Sequence, residues 1–186
     1  MRRWIKTQWT NTLISCIIAG ISLFVMLAMV WPDAEEKDPY KLVFIPKTID
    51  SSNGFWTALI QGAELGAAEF GAEIEVLGTD SEEDVDGQIG LIYSCINKKP
   101  DALMIAPADY SRTTEALRDV KESGIKLILL DSTIDQNIAD AVVCTDNYVA
   151  GKELAEYAGG FLDKKSVIGI VAHVQGTSTA MERENG

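Results

Sequence analysis

The sequence predicts an α/β fold, a doubly wound parallel sheet, that follows an N-terminal transmembrane helix. Three observations lead to this prediction. Beyond residue 40, short apolar runs alternate with segments of helical periodicity. The first four of these runs begin 25 to 32 residues apart, which suits strands joined by crossover helices. Near the N-terminus, an apolar stretch of 18 residues is long enough to cross a bilayer.

The N-terminal segment has the features of a membrane anchor. The apolar run at 13–30 would rise about 27 Å as a helix, close to the ~30 Å thickness of the hydrocarbon core. Trp9 and Trp31 flank this run, as aromatic side chains do at membrane interfaces. Basic residues precede it and acidic residues follow it. The positive-inside rule then predicts a cytoplasmic tip at 1–12, a membrane segment at 13–31 and an extracytoplasmic remainder in the cell envelope or periplasm.

Two other interpretations of this segment remain open. A cleaved signal peptide usually has an apolar region of about 7 to 15 residues and a small-x-small cleavage site, and no good site lies around Ala28. A lipoprotein signal would place its cysteine at the end of the apolar run, whereas Cys16 lies near the beginning. The length of the run therefore favours an uncleaved anchor, which a short acidic linker at 32–40 follows.

The charge of the 186-residue chain divides at the same place. Residues 1–32 carry three basic residues and no acidic residue, a net charge of +3. The other 154 residues carry 13 basic and 28 acidic residues, a net charge of −15. A protein that binds nucleic acid needs a basic face for the phosphates, so the acidic body argues against nucleic acid as a partner.

The globular part begins with a strand at 41–45, a short apolar run that Pro46 ends. The helix predicted at 55–70 has apolar residues at helical spacing. It stops at Gly71, a residue suited to the left-handed backbone conformation that often follows a helix. A second strand is predicted at 73–77.

The next two units repeat this order of elements. A helix at 84–98 leads to a third strand at 102–106. The third helix is predicted at 110–123, with Asp109 as its N-cap and Gly124 as its stop signal.

Four further elements complete the chain. Strands are predicted at 126–130 and 141–145, a helix at 148–162 and a sixth strand at 166–172. In an open parallel sheet, ligands bind outside the carboxyl ends of the strands. Functional residues are therefore expected directly after each strand.

Several chemical classes lack their signatures at these positions. The loop at 46–54 matches neither glycine-rich phosphate-binding pattern, and Pro107 stands where a phospho-accepting receiver needs aspartate. The single histidine, His173, has no partners for a catalytic triad or a metal cluster. The three cysteines have no metal-binding spacing and are expected as small buried apolar residues: Cys16, Cys95 and Cys144. We therefore expect no catalysis, no cofactor and no metal site.

The residues that are present suit a small, polar, uncharged ligand. Asn53 offers two donors and an acceptor. Phe55 and Trp56 offer aromatic faces for the C–H side of a sugar ring. Asp131 directly ends the fourth strand and can accept hydrogen bonds from two adjacent hydroxyls, while Arg183 can donate a fork of hydrogen bonds.

Each of these residues also has a structural alternative. The asparagine suits a helix cap, one of the two aromatic residues suits the core, the aspartate suits a turn, and the arginine suits a solvated helix face. Asp109 and Asp146 follow other strands, and both are expected as helix caps rather than ligands.

From residue 41 to residue 186 the chain resembles the type I periplasmic binding proteins, in particular the ribose-binding-protein-like components of sugar ABC transporters. No single motif is specific, but several occur in the family's order. They are Asn53-Gly54-Phe55-Trp56, Gln61-Gly62-Ala63, Ala106-Pro107-Ala108-Asp109, Leu130-Asp131, Thr145-Asp146-Asn147 with Gly151, and Gly176-Thr177-Ser178 with Arg183.

The resemblance implies a two-lobed clamp that closes on a monosaccharide or related polyol and presents it to an ABC-transporter permease. It implies a first lobe at 41–145 and the incomplete beginning of a second lobe at 146–186. It also implies that the five candidate residues line the cleft: Asn53, Phe55, Trp56, Asp131 and Arg183.

Departures from the family pattern leave the identity of the sugar open. Ser132 stands where the ribose binder has an arginine, Met181 replaces another arginine, and the loop at 47–54 is longer. A ligand-binding sensor domain of a signalling system is the alternative function, because some members of this superfamily report a ligand to a partner. The acidic balance and the absence of an N-terminal helix-turn-helix oppose a transcription regulator.

Overall fold

The computed structural model describes residues 15–26, 38–172 and 174–186. The chain divides into two compact units, Met1–Asp38 and Pro39–Gly186. In the first unit, residues 15–26 are helical and their side chains are exposed. Among the described residues of the second unit, five strands and five helices occur, mostly in alternation.

The predicted membrane helix at 13–31 is not supported by the structure. Among the residues described, no helix combines the length and the apolar character needed to cross a membrane. The described helical residues run from 15 to 26, and residues 13, 14 and 27–31 of the predicted span lie outside the described residues.

The second unit is built on a parallel sheet, which confirms the predicted sheet. The strands, in chain order, are β1 (Lys41–Ile45), β2 (Glu73–Val76), β3 (Ala102–Ile105), β4 (Lys126–Leu130) and β5 (Ala141–Val143). Their spatial order is β2-β1-β3-β4-β5, and every neighbouring pair is parallel. In register, Val43 lies opposite Leu103, and Leu103 lies opposite Leu127. All carboxyl ends therefore point to one edge.

Four helices lie close to the predicted positions, and no bounds were predicted for the helix at Ser178–Asn185. The helices of the second unit are α1 (Gly54–Glu69), α2 (Val85–Lys98), α3 (Thr114–Glu122), α4 (Asn147–Gly159) and α5 (Ser178–Asn185). Gly71 and Gly124 have φ values of +64° and +86°, which confirms their predicted left-handed conformation after a helix. From β1 the chain first moves to β2 on one side, and then to β3 and β4 on the other side. Since each crossover is right-handed, α1 lies on one face of the sheet, and α2 and α3 lie on the other.

Asp109 organises a turn instead of capping the third helix directly, which corrects one prediction. Its Oδ1 accepts hydrogen bonds from the backbone N–H groups of Ser111 and Arg112. Residues 110–113 then form turns, and α3 begins only at Thr114. Because the aspartate accepts from the N–H groups two and three residues after it, a local turn forms there in competition with the helix.

The largest apolar core lies on the sheet face that α2 and α3 cover. Alternate residues of three strands point into it, and apolar residues of the two helices pack against them. Its main members are Val43, Ile45, Ile92, Cys95, Leu103, Ile105, Leu117, Val120, Leu127 and Leu129. Full burial of each large side chain contributes about 1.5–3 kcal/mol, so this face stabilises the sheet on which the loops are mounted.

The predicted sixth strand at 166–172 is wrong. These residues lack regular structure, and their apolar side chains are exposed, Val167 by 97% and Val171 by 100%. A parallel strand requires a neighbouring strand for its backbone hydrogen bonds. No strand within the described ranges pairs with this segment, so its apolar pattern alone did not produce a strand.

The cysteines divide into two groups. Cys95 is fully buried on α2, as expected, and burial raises the pKa of its thiol to about 11. Cys16 and Cys144 are exposed, so the expectation that all three are buried is wrong. Cys144 follows the short strand β5, whose residues are all exposed at the edge of the sheet.

Asp140 provides a test of how the β5 edge is held to the rest of the sheet. Its carboxylate accepts hydrogen bonds from the Lys121 ammonium and the Leu127 backbone N–H, which together lower its pKa to about 2. A lowered pKa in the folded state stabilises the fold above the unfolded-state value of about 3.9, and this contribution disappears as the pH falls towards 2.

We predict that Asp140→Asn lowers the free energy of unfolding by up to about 1 kcal/mol at pH 7, and that this difference shrinks between pH 4 and pH 2. Urea unfolding across this pH range measures it. Asp86→Asn, which breaks the more exposed pair with Arg112, is the control and should have a smaller effect. A difference that is constant with pH would show that the Asp140 charge does not carry the effect.

Candidate functional site

The loops that leave the carboxyl ends of β1, β2 and β4 meet at one edge of the sheet. They contribute Lys47, Glu82 and Asp131. Lys47 bonds directly to Asp131, and Trp56 at the start of α1 contacts both Lys47 and Glu82. The parallel topology brings these loops together, although the three residues are far apart in sequence.

Lys47 is the centre of this cluster. Its side chain is only 1% exposed, and Nζ donates to Oδ2 of Asp131 at 3.0 Å. Nζ also lies 5.7 Å from the centre of the Trp56 ring, within the range of a cation–π contact. A buried ammonium is unfavourable unless it is paired. The pair therefore ties the end of β1 to the end of β4.

Asp131 occupies a constrained position directly after β4. Its φ of +62° is left-handed, a conformation that aspartate adopts more readily than most residues. Its backbone N–H donates to the carbonyl of Val143 at 2.9 Å. Oδ2 accepts from Lys47 and also from the Ser132 hydroxyl, at 2.9 Å.

The second carboxylate oxygen of Asp131 faces a different environment. Within the described part of the chain, no donor forms a hydrogen bond with Oδ1, and the side chain is 21% exposed. One oxygen is thus held by the protein, while the other is accessible at the edge of the sheet. This arrangement suits a carboxylate that accepts hydrogen bonds from ligand hydroxyls.

Asn53 is the N-cap of α1, as its structural alternative predicted. Its Oδ1 accepts from the backbone N–H groups of Phe55 and Trp56, and its Nδ2 donates to Oε1 of Glu82 at 3.1 Å. The acceptor and one of the two amide N–H donors are therefore engaged within the protein, and the residue remains partly exposed.

The two aromatic candidates have opposite environments, which agrees with the expectation that one of them is a core residue. Trp56 is 2% exposed, and its Nε1 donates to Oε1 of Glu82 at 2.7 Å. Phe55 is 57% exposed and contacts the Trp56 ring edge to face, with centroids 4.9 Å apart. Phe55 is thus the member of the pair that offers an aromatic face to a ligand.

The segment before α5 packs against the loop after β4. The Ser178 hydroxyl accepts from the Thr133 backbone N–H at 2.7 Å, and the Gly176 carbonyl accepts from the Tyr110 N–H. Thr177 caps α5 by accepting from the Ala180 N–H. These contacts fix the beginning of α5 near the edge of the sheet where Asp131 lies.

Arg183 lies on α5 with an exposed side chain, and its guanidinium makes no hydrogen bond or ion pair within the described ranges. Its backbone is closely packed, because the carbonyl lies against Gly151 of α4. The structure therefore brings the backbone of Arg183 to a defined place but leaves its side chain free to reorient.

The surroundings of Asp131 are acidic. Although the Cys144 residue is exposed, neighbouring groups partly shield its thiol from water, and this desolvation is the first cause that raises its pKa; the carboxylates of Glu182, Asp131 and Asp146 raise it further. Asp146 is the N-cap of α4 and accepts from the Val149 N–H, which confirms its predicted role. Three carboxylates thus lie near the Cys144 thiol.

Sequence reasoning missed four residues of this cluster: Lys47, Glu82, Gln88 and Ser132. Gln88 is fully buried on α2, where Nε2 donates to the Ala106 carbonyl and Oε1 accepts from the Ala108 N–H. A lysine two residues after one strand and an aspartate directly after another were a usable signal of an ion pair. Their pairing across 84 residues still required the tertiary structure.

Comparison with known proteins gives a consistent result. The family model described as the periplasmic binding protein domain matches residues 42–186. Among curated proteins, the chain is 24% identical over 176 residues to the ribose import binding protein RbsB of Bacillus subtilis, covering 91% of this chain and 57% of that protein. It is 25% identical over 182 residues to the D-ribose/D-allose-binding protein of Pseudomonas aeruginosa, covering 94% and 56%. The chain thus spans little more than half the length of these relatives.

Solved structures share the fold. The crystal structure of a sugar transporter from Clostridium phytofermentans superposes with a TM-score of 0.76 and 39% identity, over 78% of this chain and 54% of the other. A periplasmic solute-binding protein from Actinobacillus succinogenes with bound D-allose gives a TM-score of 0.64 and 26% identity, over 78% and 52%.

The close packing of α4 against α5 provides a test of how Arg183 is positioned. A Cβ added at Gly151 would collide with the Arg183 carbonyl, and a backbone atom cannot move aside easily. We predict that Gly151→Ala displaces α5 and lowers the free energy of unfolding by about 1–3 kcal/mol. Gly62→Ala on α1 is the matched control, since nothing lies within 4 Å of its added Cβ.

Thermal and urea unfolding of both variants measure the difference. The control should be neutral or more stable than the wild type, because alanine favours helix over glycine by up to about 1 kcal/mol. Equal stability of the two variants would contradict the close approach of α4 and α5.

Proposed function

Because the chain belongs to the periplasmic binding protein domain family, we propose that it is the ligand-binding part of an extracytoplasmic solute-binding protein. In this function it holds a small sugar and delivers it to an ABC-transporter permease. The observation that carries the proposal is Asp131, whose Oδ2 is held by Lys47 and Ser132 while its Oδ1 is accessible at the carboxyl edge of the sheet.

The chemistry of this edge supports a neutral polyhydroxylated ligand. A carboxylate accepts hydrogen bonds from adjacent hydroxyls, each worth about 1.5–3 kcal/mol when charge-assisted. The exposed ring of Phe55 suits the C–H face of a sugar. The ligand we propose is therefore a monosaccharide or a related polyol.

The names of the relatives agree with this ligand class. The curated proteins cited above carry ribose and allose in their names, and the Actinobacillus structure holds D-allose. From these names we infer only the class of ligand for this chain. By the same likeness to the relatives, we propose that 41–145 is the first lobe of a two-lobed clamp and that 146–186 begins the second.

The candidate contacts divide by their accessibility. Asp131 and Phe55 are proposed as direct ligand contacts, and Arg183, with its unengaged guanidinium, is proposed to join them by reorienting. Asn53 and Trp56 are proposed to support the site from behind through their shared contact with Glu82.

We predict that Asp131→Ala weakens sugar binding at least tenfold, since it removes a charge-assisted acceptor from the ligand. A thermal-shift screen with pentoses, hexoses, polyols and amino acids identifies the ligand, because a bound ligand raises the unfolding midpoint. Calorimetry then gives the affinities. Glu122→Ala is the control, because this exposed carboxylate at the end of α3 lies outside the cluster at the carboxyl ends of the strands.

Sugar binding by the wild type with unchanged affinity in Asp131→Ala would remove Asp131 from the site. Binding of amino acids alone, with no response to any sugar or polyol, would refute the sugar-binding function.

The apolar run at 13–31 is proposed as an uncleaved anchor that holds the globular part at the outer surface of the cell membrane. The proposal is supported by the length of the run, its flanking tryptophans and its basic N-terminal flank. The proposed orientation leaves only the basic tip in the cytoplasm.

We predict that the protein fractionates with membranes and that Ile21→Arg lowers the membrane-bound fraction, because a charge at the centre of a membrane helix costs about 2.5–3.5 kcal/mol. Thr7→Arg, which adds the same charge outside the run, should leave fractionation unchanged. Fractionation with N-terminal sequencing measures both. A soluble product that begins after residue 28 would instead establish a cleaved signal peptide.

A further inference from the structure

The buried ammonium of Lys47 has no direct part in the ligand contacts proposed above. Its side chain is 1% exposed, whereas that of its partner Asp131 is 21% exposed. Nζ lies against two protein groups, Oδ2 of Asp131 and the ring of Trp56. A ligand that approaches the accessible Oδ1 therefore meets the carboxylate before it meets the lysine.

We propose that Lys47 is a positioning residue of the sugar site, which determines affinity by holding Asp131 in the orientation that presents Oδ1 to the ligand. This inference rests on the proposed sugar-binding function. It assigns to Lys47 a role that acts through Asp131 and not through a contact with the sugar.

The geometry gives Lys47 control over the direction of the carboxylate. Asp131 is joined to its surroundings by its backbone N–H, by the hydroxyl of the adjacent Ser132 and by Lys47. Of the two side-chain donors, only Lys47 comes from a distant part of the chain, and it is fixed by burial against Trp56. Ser132 is the next residue and moves with Asp131. Without Lys47, the carboxylate retains one flexible neighbour and is free to rotate into solvent.

The stability of the fold gives no equivalent reason for this pair. Replacing a partly buried ion pair with apolar side chains is often neutral or stabilising, because both charges must be desolvated. A site that binds hydroxyl groups does gain from the pair. A carboxylate that is already oriented loses less freedom when the ligand binds, and affinity rises accordingly.

A double-mutant cycle on the full chain tests the inference. Calorimetry measures affinity for D-ribose and D-allose in the wild type, Lys47→Met, Asp131→Asn and the double variant. Methionine keeps the unbranched shape beneath Trp56 and removes the charge. We expect Lys47→Met to weaken binding about five- to tenfold, in line with the freedom that the carboxylate regains. The double variant should bind no more weakly than Asp131→Asn alone, since residues that act through one group are not additive.

Two further variants separate positioning from a purely structural role. Lys47→Arg retains a cation and should restore part of the affinity, which a loss of packing alone would not predict. Ser132→Ala removes the second donor to Oδ2, leaves the buried lysine intact and should weaken binding by a smaller factor. If circular dichroism shows that Lys47→Met is unfolded, Lys47→Gln, which removes the charge but keeps a polar end group, takes its place.

The outcomes are distinct. If the wild type binds sugar and the losses of Lys47→Met and Asp131→Asn multiply in the double variant, Lys47 contacts the ligand itself and the positioning role is overturned. Unchanged affinity in Lys47→Met, or in Lys47→Gln if the former does not fold, also overturns it while the proposed function stands. If the wild type binds no sugar at all, the proposed function fails and the inference falls with it.

Discussion

The parallel arrangement of the five strands is the constraint on which the candidate site depends. Parallel strands need crossover connections, so every strand ends at the same edge and every outgoing loop begins there. Lys47, Glu82 and Asp131 each follow a different strand, and they meet only because of this topology. The apolar core beneath them supplies a rigid base, but its residues carry no chemical specificity.

Buried polar side chains, rather than apolar ones, hold the loops to each other. Gln88 bridges the loop after β3 from within α2, and Lys47 bridges the ends of β1 and β4. Such groups are costly to bury unless their hydrogen bonds are satisfied, so each one tolerates few alternative arrangements. The result is a loop edge whose geometry is defined before any ligand arrives, which reduces the entropy lost on binding.

Accessibility separates the residues that a ligand can touch from those that support them. Asn53 and Trp56 carry groups suited to sugar recognition, yet their polar atoms are bound to Glu82 and to the helix backbone. Phe55 and Asp131 retain free surface. The same split applies within Asp131, where Oδ2 accepts hydrogen bonds from Lys47 and Ser132, and Oδ1 accepts none from the described residues. A site of this kind has accessible residues and residues that support them, and the sequence alone does not distinguish the two groups.

Local physics determined much of this protein in advance. Strand and helix periods, the stop glycines at 71 and 124 and the cap at Asp146 depend on neighbouring residues, and the sequence alone was enough to predict them. Tertiary structure decided what depends on distant partners. The apolar run at 166–172 is not a strand because no described strand pairs with it, and Trp56 rather than Phe55 is buried because Glu82 and Lys47 surround it. Lys47 and Asp131 pair across 84 residues. No local sequence pattern indicates such a pair, because the two residues become neighbours only in the folded structure.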